Sequence, residues 1–403
     1  MLYQREIGEK AEKYLEDDKT LVFVGARQVG KTTILKQLQS LLQARGAVCH
    51  FINLENPELL AALNGGPKNI FKLINIDLSR RTHIFIDEVQ YLDDPSNFLK
   101  VIYDEYFGKI KIIASGSSSF YIDKKFKDSL AGRKWLFNVY TLSFREFLRF
   151  KDETALAVAD LTRLNFDDRD KISRYYHEYM IFGGYPRVVL ARSEDKVNVL
   201  NELAFSYIKK DIAEGNIRQE ELYYKLFRLL ASQAGNLVNT NELGQTLAVS
   251  KTAISNYLYV MQKSFHICLI RPFFSNARKE MTKMPKVYFY DSGLRNFFTN
   301  NFEAMAGRTD KGQVLENAAF GQLVRSRDEF NIQYWRTPKG GEIDFVIDVG
   351  KIAYEVKYNF KDAWPEKYKS FRALYPAMPL KFVTIDYNPQ ESKRTDLCNI
   401  WEI

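Results

Sequence analysis

Apolar and polar positions follow two different rhythms along this chain, and each predicts its own kind of element. In the first third, short unbroken apolar runs occupy residues 21–24 (LVFV), 48–54 (VCHFINL), 83–86 (HIFI) and 109–114 (KIKIIA). Runs this short, bounded by polar turns, predict strands buried on both faces, and hence a parallel sheet. Helical periodicity follows the first run at residues 33–38 and dominates residues 151–220, broken by a turn at Gly183-Gly184-Tyr185-Pro186. Near the carboxyl end the rhythm becomes strict alternation, at residues 342–348 (EIDFVID) and 351–357 (KIAYEVK). A period of two predicts strands with one polar and one apolar face. A helix over residues 313–324 precedes them; a helix over 366–375 and a strand over 380–384 follow. The pattern predicts an α/β multidomain chain: a parallel-sheet domain at 1–150, a helical segment at 151–220, a third part at 221–300 and a second α/β domain at 301–403.

The turn after the first strand gives the sheet a chemistry. Gly25, Ala26, Arg27, Gln28, Val29, Gly30, Lys31 and Thr32 form a complete G-x-x-x-x-G-K-[ST] loop, and Thr33 continues into the helix. In such a loop backbone N–H groups cradle phosphates, Lys31 reaches the terminal phosphates, and the Thr32 hydroxyl ligates Mg²⁺. The run ending in Asp87-Glu88 comes about 55 residues after Lys31. Asp87 is the expected Mg²⁺ organiser and Glu88 the expected base for the attacking water. The strand at 109–114 leads into a serine-rich turn, where Ser117, with Ser115 close behind, is the candidate contact to the γ-phosphate or the water. Arg133 is either a charge stabiliser for the γ-phosphate, in cis or from a neighbouring subunit, or a surface salt-bridge residue.

The ordered set GARQVGKTT, IFIDEVQ, ASGSSS, LAGR and LSFREF, with Phe182-Gly183-Gly184-Tyr185-Pro186 and Tyr207-Ile208-Lys209-Lys210-Asp211-Ile212 further on, resembles the bacterial and archaeal AAA-type P-loop ATPases that carry a conserved uncharacterised C-terminal domain. The resemblance covers nearly the whole chain and implies ATP binding and hydrolysis. For the helical residues 151–220, a lid over the nucleotide site is the simplest role.

Residues 221–300 read as a winged helix. A helix over 222–230 leads to a second, which Thr240 can cap, and a third begins at Ser250. Lys251, Thr252, Ser255, Asn256 and Tyr259 of the third helix would face a DNA groove. Strands at 267–270 and 287–290 would flank a basic wing whose Arg278, Lys279, Lys283 and Lys286 contact phosphates. Residues 263–300 hold seven basic residues (Lys263, Arg271, Arg278, Lys279, Lys283, Lys286, Arg295) against two acids (Glu280, Asp291). A docking module without DNA contact is the alternative use of the same fold.

The alternating strands carry a second chemical pattern. Glu355 and Lys357 point to one face, about 7 Å apart along the strand. Asp344 lies on the preceding strand. Glu316 falls in line with Ala319, Phe320 and Leu323 on the apolar face of its helix, where a carboxylate is costly unless it meets a cation or another partner. Glu, Asp and Glu-x-Lys on helix, strand and strand resemble the PD-(D/E)-x-K restriction-endonuclease-like core, with Ile343 where a proline commonly stands. That resemblance implies one or two Mg²⁺, or Mn²⁺, held by Glu316, Asp344 and Glu355, with Lys357 activating water. Trp335-Arg336-Thr337 would line the cleft. An ordinary sheet with surface ion pairs, or the same fold without cutting, are the competing readings.

The chain has 403 residues and a net charge of +8, with a pI near 9.0. That balance permits a polyanionic partner. No apolar run is long enough to span a membrane, and three widely spaced cysteines, Cys49, Cys268 and Cys398, form neither a metal spacing nor a disulfide framework. A cytoplasmic location is the default that follows. The sum is an ATP- and Mg²⁺-dependent, DNA-associated ATPase with a nuclease-like C-terminal domain, able to form a homo-oligomer. Its rival is a non-cutting ATP switch that uses the later domains for docking. A small-molecule kinase leaves those domains without a role.

Overall fold

The early apolar runs become one parallel sheet. Its strands are β1 (Thr20–Val24), β2 (Val48–Asn53), β3 (Thr82–Asp87), β4 (Ile110–Gly116) and β5 (Lys134–Asn138), in the order β2-β3-β4-β1-β5. Every residue of β1, β3 and β4 is buried, with the helices Lys31–Ala44 and Pro95–Glu105 packed on the sheet. A fully buried Phe23 or Phe85 contributes roughly 1.5–3 kcal/mol of transfer free energy. All strands run the same way, so the ends of β1, β3 and β4 open on one edge. In such sheets that edge is where ligands sit.

The structure is a computed structural model that describes residues 3–117, 130–215, 217–273, 283–327, 329–337, 340–388 and 394–403. It divides into two compact units, Met1–Tyr140 with Lys263–Phe265, and Thr141–Gln262 with His266–Ile403. Among the described residues no helix is long and apolar enough to cross a membrane.

In the second unit the helices Glu220–Ser232, Thr240–Thr246 and Lys251–Lys263 follow one another. The cap of the middle helix is Asn239, not Thr240: the Asn239 side chain accepts from Asn241 N at 3.1 Å and from Glu242 N at 3.4 Å. Ser250 caps the third helix as expected, accepting from Ala253 N at 3.1 Å. Lys251, Thr252, Ser255, Asn256 and Tyr259 are all exposed.

The hairpin that follows does not stand apart. Strands β6 (Ile267–Pro272), β7 (Lys286–Phe289), β8 (Ile332–Arg336), β9 (Glu342–Ile347), β10 (Ile352–Val356), β11 (Leu380–Thr384) and β12 (Leu397–Asn399) form one sheet in the order β12-β11-β10-β9-β8-β6-β7. The parallel pairing of β6 with β8 makes the join. The expected boundary between residues 300 and 301 therefore does not separate two sheets. The helix expected over 366–375 is a 3₁₀ turn, Pro365–Tyr368, then a short helix, Lys369–Leu374.

The Phe182–Pro186 motif has an architectural job in this unit. Gly183 has φ +75°, and a Cβ there would stand 2.0 Å from Asp291 Oδ1. Buried Asp291 accepts from Gly184 N at 2.8 Å and from Leu294 N at 3.0 Å, so one carboxylate ties the motif to the start of the helix Ser292–Thr299.

Candidate functional site

The phosphate loop is shaped by what its glycines permit. A Cβ on Gly25 would lie 2.0 Å from Val139 O, so only glycine lets β1 turn there beside the end of β5. Gly30 has φ +99° and hands the chain to the helix Lys31–Ala44. That helix points its unpaired N–H groups and positive end at the loop, an arrangement that favours anions. Lys31 is buried, and its Nζ donates to Gly25 O at 3.0 Å and Ala26 O at 2.8 Å. Burial pulls this ammonium down to about 8, against the opposing field of Glu88 and with the help of Arg27. Arg5 braces the loop from behind: it donates to Val29 O, and to Tyr140 O at 2.9 Å. No motif announces Arg5 in the sequence.

Thr32 Oγ1 donates to Asp87 Oδ2 at 2.6 Å. The two residues lie 55 positions apart and meet because β1 and β3 end on the same edge. Ser115, from β4 between them, donates to Asp87 Oδ1 and accepts from Glu88 N at 3.3 Å. Glu88 is held at φ +59°, a left-handed conformation costing a non-glycine residue roughly 1–2 kcal/mol. Gln90 pins its carboxylate: Nε2 donates to Glu88 Oε2 and to Ser117 Oγ, the latter at 2.8 Å, while Oε1 accepts from Ser117 N at 3.3 Å. Ser115 is thus on the acid itself, and Ser117 is linked to Glu88 through Gln90. Gln90, 3% exposed, was missed in the sequence, although its spacing two residues past Glu88 was visible. Ser118 and Ser119 lie outside the described residues. A hydroxyl and a carboxylate in contact at the loop's end fit a hard divalent cation such as Mg²⁺.

Arg133 is not brought to this edge. Its carbonyl accepts from Thr20 N at 2.9 Å, and β5 begins beside Thr20 with Lys134. It therefore lies at the opposite end of β1 from the loop, about 13 Å of strand away. Its guanidinium pairs with Asp104 at 2.7 Å on the surface. A role for Arg133 within its own chain's site is excluded by this placement.

In the second unit Asp344 sits on β9, Glu355 on β10 and Glu316 on the helix Lys311–Ser326. The structure does not build the expected three-carboxylate metal site. Among the described residues no group of three His, Cys, Asp or Glu side chains is placed to hold a metal ion. A lysine is there instead. Lys286, the first residue of β7, places Nζ 2.5 Å from Glu342 Oε1, 3.3 Å from Glu316 Oε1 and 3.6 Å from Asp344 Oδ1. Its side chain is 2% exposed, so it is no wing contact to phosphate. Burial works to neutralise it, but Glu316, Asp344 and Glu342 outweigh burial and keep it protonated. Arg295, also counted among the basic residues, is buried and paired with Asp310. Arg278 and Lys279 lie outside the described residues.

Further hydrogen bonds engage Glu316, Asp344 and Glu355. Tyr288 OH donates to Glu316 Oε1 at 2.5 Å, and Val356 N donates to Asp344 Oδ2 at 2.9 Å. Glu355 Oε1 accepts from Lys357 Nζ at 2.5 Å and Tyr368 OH at 2.7 Å. Its Oε2 is buried without a hydrogen-bond partner. Burial, then the nearby Asp344, push both Glu316 and Glu355 above the usual carboxylate range. Trp335, expected in the cleft, packs into the core on Phe371.

Residues 17–148 match the family described as AAA domain. The first unit has a parallel-sheet, P-loop NTPase-like fold. Residues 173–304 and 311–403 match two domains of unknown function, DUF8612 and DUF4143. Relatives along most of the length include an uncharacterized protein of Methanocaldococcus jannaschii, 26% identical over 86% of this chain and 77% of its own. Another, from Haemophilus influenzae, is 24% identical over 86% and 85%. A third, from Mycobacterium tuberculosis, is 24% identical over 96% and 80%. Among solved structures, the RuvB Holliday junction branch migration motor of Thermotoga maritima superposes with a TM-score of 0.35 at 16% identity, covering 66% of this chain and 90% of its own. The ORC2 protein of Aeropyrum pernix gives 0.40 at 14%, covering 73% and 92%.

Proposed function

We propose that this protein is a Mg²⁺-dependent ATPase that works at DNA. The observation that carries the ATPase reading is the 2.6 Å contact between Thr32 and Asp87 beside the loop. In this reading the loop N–H groups and Lys31 bind the β- and γ-phosphates. Lys31 exchanges its two carbonyl partners for phosphate oxygens, which costs little because both are charge-assisted bonds. Thr32 and Asp87 would hold Mg²⁺, which supplies charge neutralisation at the phosphates. Glu88 orients water and takes its proton, and Gln90 fixes the carboxylate in place. The test is phosphate release from ATP with and without Mg²⁺, for wild type and Lys31→Ala. Equal release by both proteins refutes the reading.

DNA association is the finer part. Its support is the exposed row Lys251, Thr252, Ser255, Asn256 and Tyr259 on the third helix of a helix–helix–helix–hairpin order, read as a winged helix. Duplex binding should weaken in a Lys251→Ala/Tyr259→Ala variant and fall with salt. Arg133, if it serves a γ-phosphate, does so for a neighbouring subunit, which makes the active form an oligomer.

A second reading makes the C-terminal sheet a metal-dependent nuclease. The observation in its favour is the bare Oε2 of Glu355 beside Lys357. Mg²⁺- or Mn²⁺-dependent cleavage lost in Asp344→Ala supports it. No cleavage across single- and double-stranded substrates supports the non-cutting switch.

A further inference from the structure

Lys286 connects three elements that the chain brings together from far apart. Its ammonium meets Glu316 from the helix Lys311–Ser326 and Glu342 and Asp344 from β9, and it lies 5.7 Å from the centre of the Tyr334 ring on β8. A lysine buried on the surface of a sheet usually escapes to water by extending its stem. This one does not, because three carboxylates surround the place where its charge ends.

The charges around it show what the cluster needs. Three carboxylates meet one ammonium, and Arg336 helps from the rim, 3.4 Å from Glu342 Oε2. A divalent ion would have to reach carboxylate oxygens at about 2.0–2.6 Å, within the space that Nζ now occupies. A divalent ion drawing on the same oxygens would stand against the Lys286 ammonium at close range, and their repulsion opposes joint occupancy. Glu316 Oε1 already accepts from Lys286 Nζ at 3.3 Å and Tyr288 OH at 2.5 Å, and Asp344 Oδ1 is ion-paired with Lys286 at 3.6 Å.

We propose that Lys286 is the resident cation of this cluster, its ammonium standing where a divalent metal would otherwise bind, so that the C-terminal sheet operates without a metal. The hairpin β6–β7 delivers the charge, and the parallel pairing of β6 with β8 fixes its position. The inference is independent of the ATPase reading, since no residue of the phosphate loop enters it. It bears directly on the nuclease reading, which requires the metal that Lys286 displaces.

The test is Mn²⁺ binding to the full chain without nucleotide, followed by electron paramagnetic resonance. Four proteins are compared: wild type, Asp344→Asn, Lys286→Met and the double variant. Wild type and Asp344→Asn should bind Mn²⁺ alike. Lys286→Met should gain a site that the double variant lacks. Asp344-dependent Mn²⁺ binding by wild type overturns the proposal, and so does a folded Lys286→Met that gains no site. If Lys286→Met does not fold in metal-free buffer, refolding is repeated with Mn²⁺. Recovery with Mn²⁺, abolished by Asp344→Asn, supports the proposal; no recovery overturns it.

Discussion

Replacing Glu88 with glutamine tests the catalytic assignment while leaving the surrounding structure almost untouched. The side chain keeps its length, and Gln90 Nε2 can still donate to the amide oxygen in place of Glu88 Oε2. The backbone contact from Glu88 N to Ser115 Oγ, at 3.3 Å, does not involve the side chain. What is lost is a base. A positioned general base contributes typically about 10²–10⁴-fold, and at about 1.36 kcal/mol per decade that is roughly 2.7–5.4 kcal/mol of barrier. ATP affinity should change by less than about threefold, because Lys31, the loop and the Thr32–Asp87 pair remain. The assay pairs steady-state phosphate release at saturating Mg²⁺–ATP with equilibrium binding of a fluorescent ATP analogue. Turnover within about threefold of wild type would remove Glu88 from the base role. A parallel loss of binding and turnover would mean that Glu88 shapes the site instead of acting in it.

Gly25→Ala should destabilise the first unit by about 1–3 kcal/mol, since its Cβ would stand 2.0 Å from Val139 O; chemical denaturation reads that loss. Arg133→Ala removes a solvent-screened surface pair with Asp104, which contributes little to stability, and should leave turnover per chain unchanged in dilute protein. A fall in turnover at high dilution would contradict its placement at the far end of β1. Buried His83 has its pKa lowered below the ordinary 6.5, by burial first and then by Arg81. Its neutral form is therefore favoured by folding, and the associated stability is complete above pH 6.5 and declines as the pH falls below it. Thermal melting between pH 7 and 5 should show that decline, and His83→Leu should flatten it.

The first unit was readable because its three central strands, β1, β3 and β4, are buried on both faces. Runs such as 21–24 have no polar positions to confuse with a helix face, and the loop at Gly25–Thr32 fixes where β1 ends. What escaped was β5. Residues 134–138 form a half-exposed edge strand, and their mixed polarity resembles a loop that leaves the sheet. That one omission misplaced Arg133, which looked like a residue following the core when it immediately precedes the sheet's last strand. Gln90 escaped for another reason: a glutamine in a turn after an acidic pair carries no pattern, and only the fold of the β3 and β4 ends brings it onto Glu88 and Ser117.

The carboxylate cluster shows the limit more sharply. Helical periodicity placed Glu316 on an apolar face and required a cation or another partner to meet it; both are there, since Lys286 Nζ lies 3.3 Å and Tyr288 OH 2.5 Å from Glu316 Oε1. The identity of the cation could not follow from the same pattern. A divalent ion and a lysine ammonium satisfy a buried carboxylate equally well on paper, and Lys286 stood among seven basic residues in a segment that reads as a DNA-facing wing. In a strand of period two, Lys286 shares its face with Tyr288, whose hydroxyl also reaches Glu316. That shared face would point to solvent in a free hairpin and points to the acids only when β6 pairs with β8. Arg271 beside Gln333 and Pro272 beside Tyr334 make that pairing across some 60 residues of sequence, a long-range choice that no local propensity encodes. The same two-residue register therefore decides whether Lys286 is a phosphate contact or the counter-charge of an acid cluster, and with it whether the sheet has room for a metal.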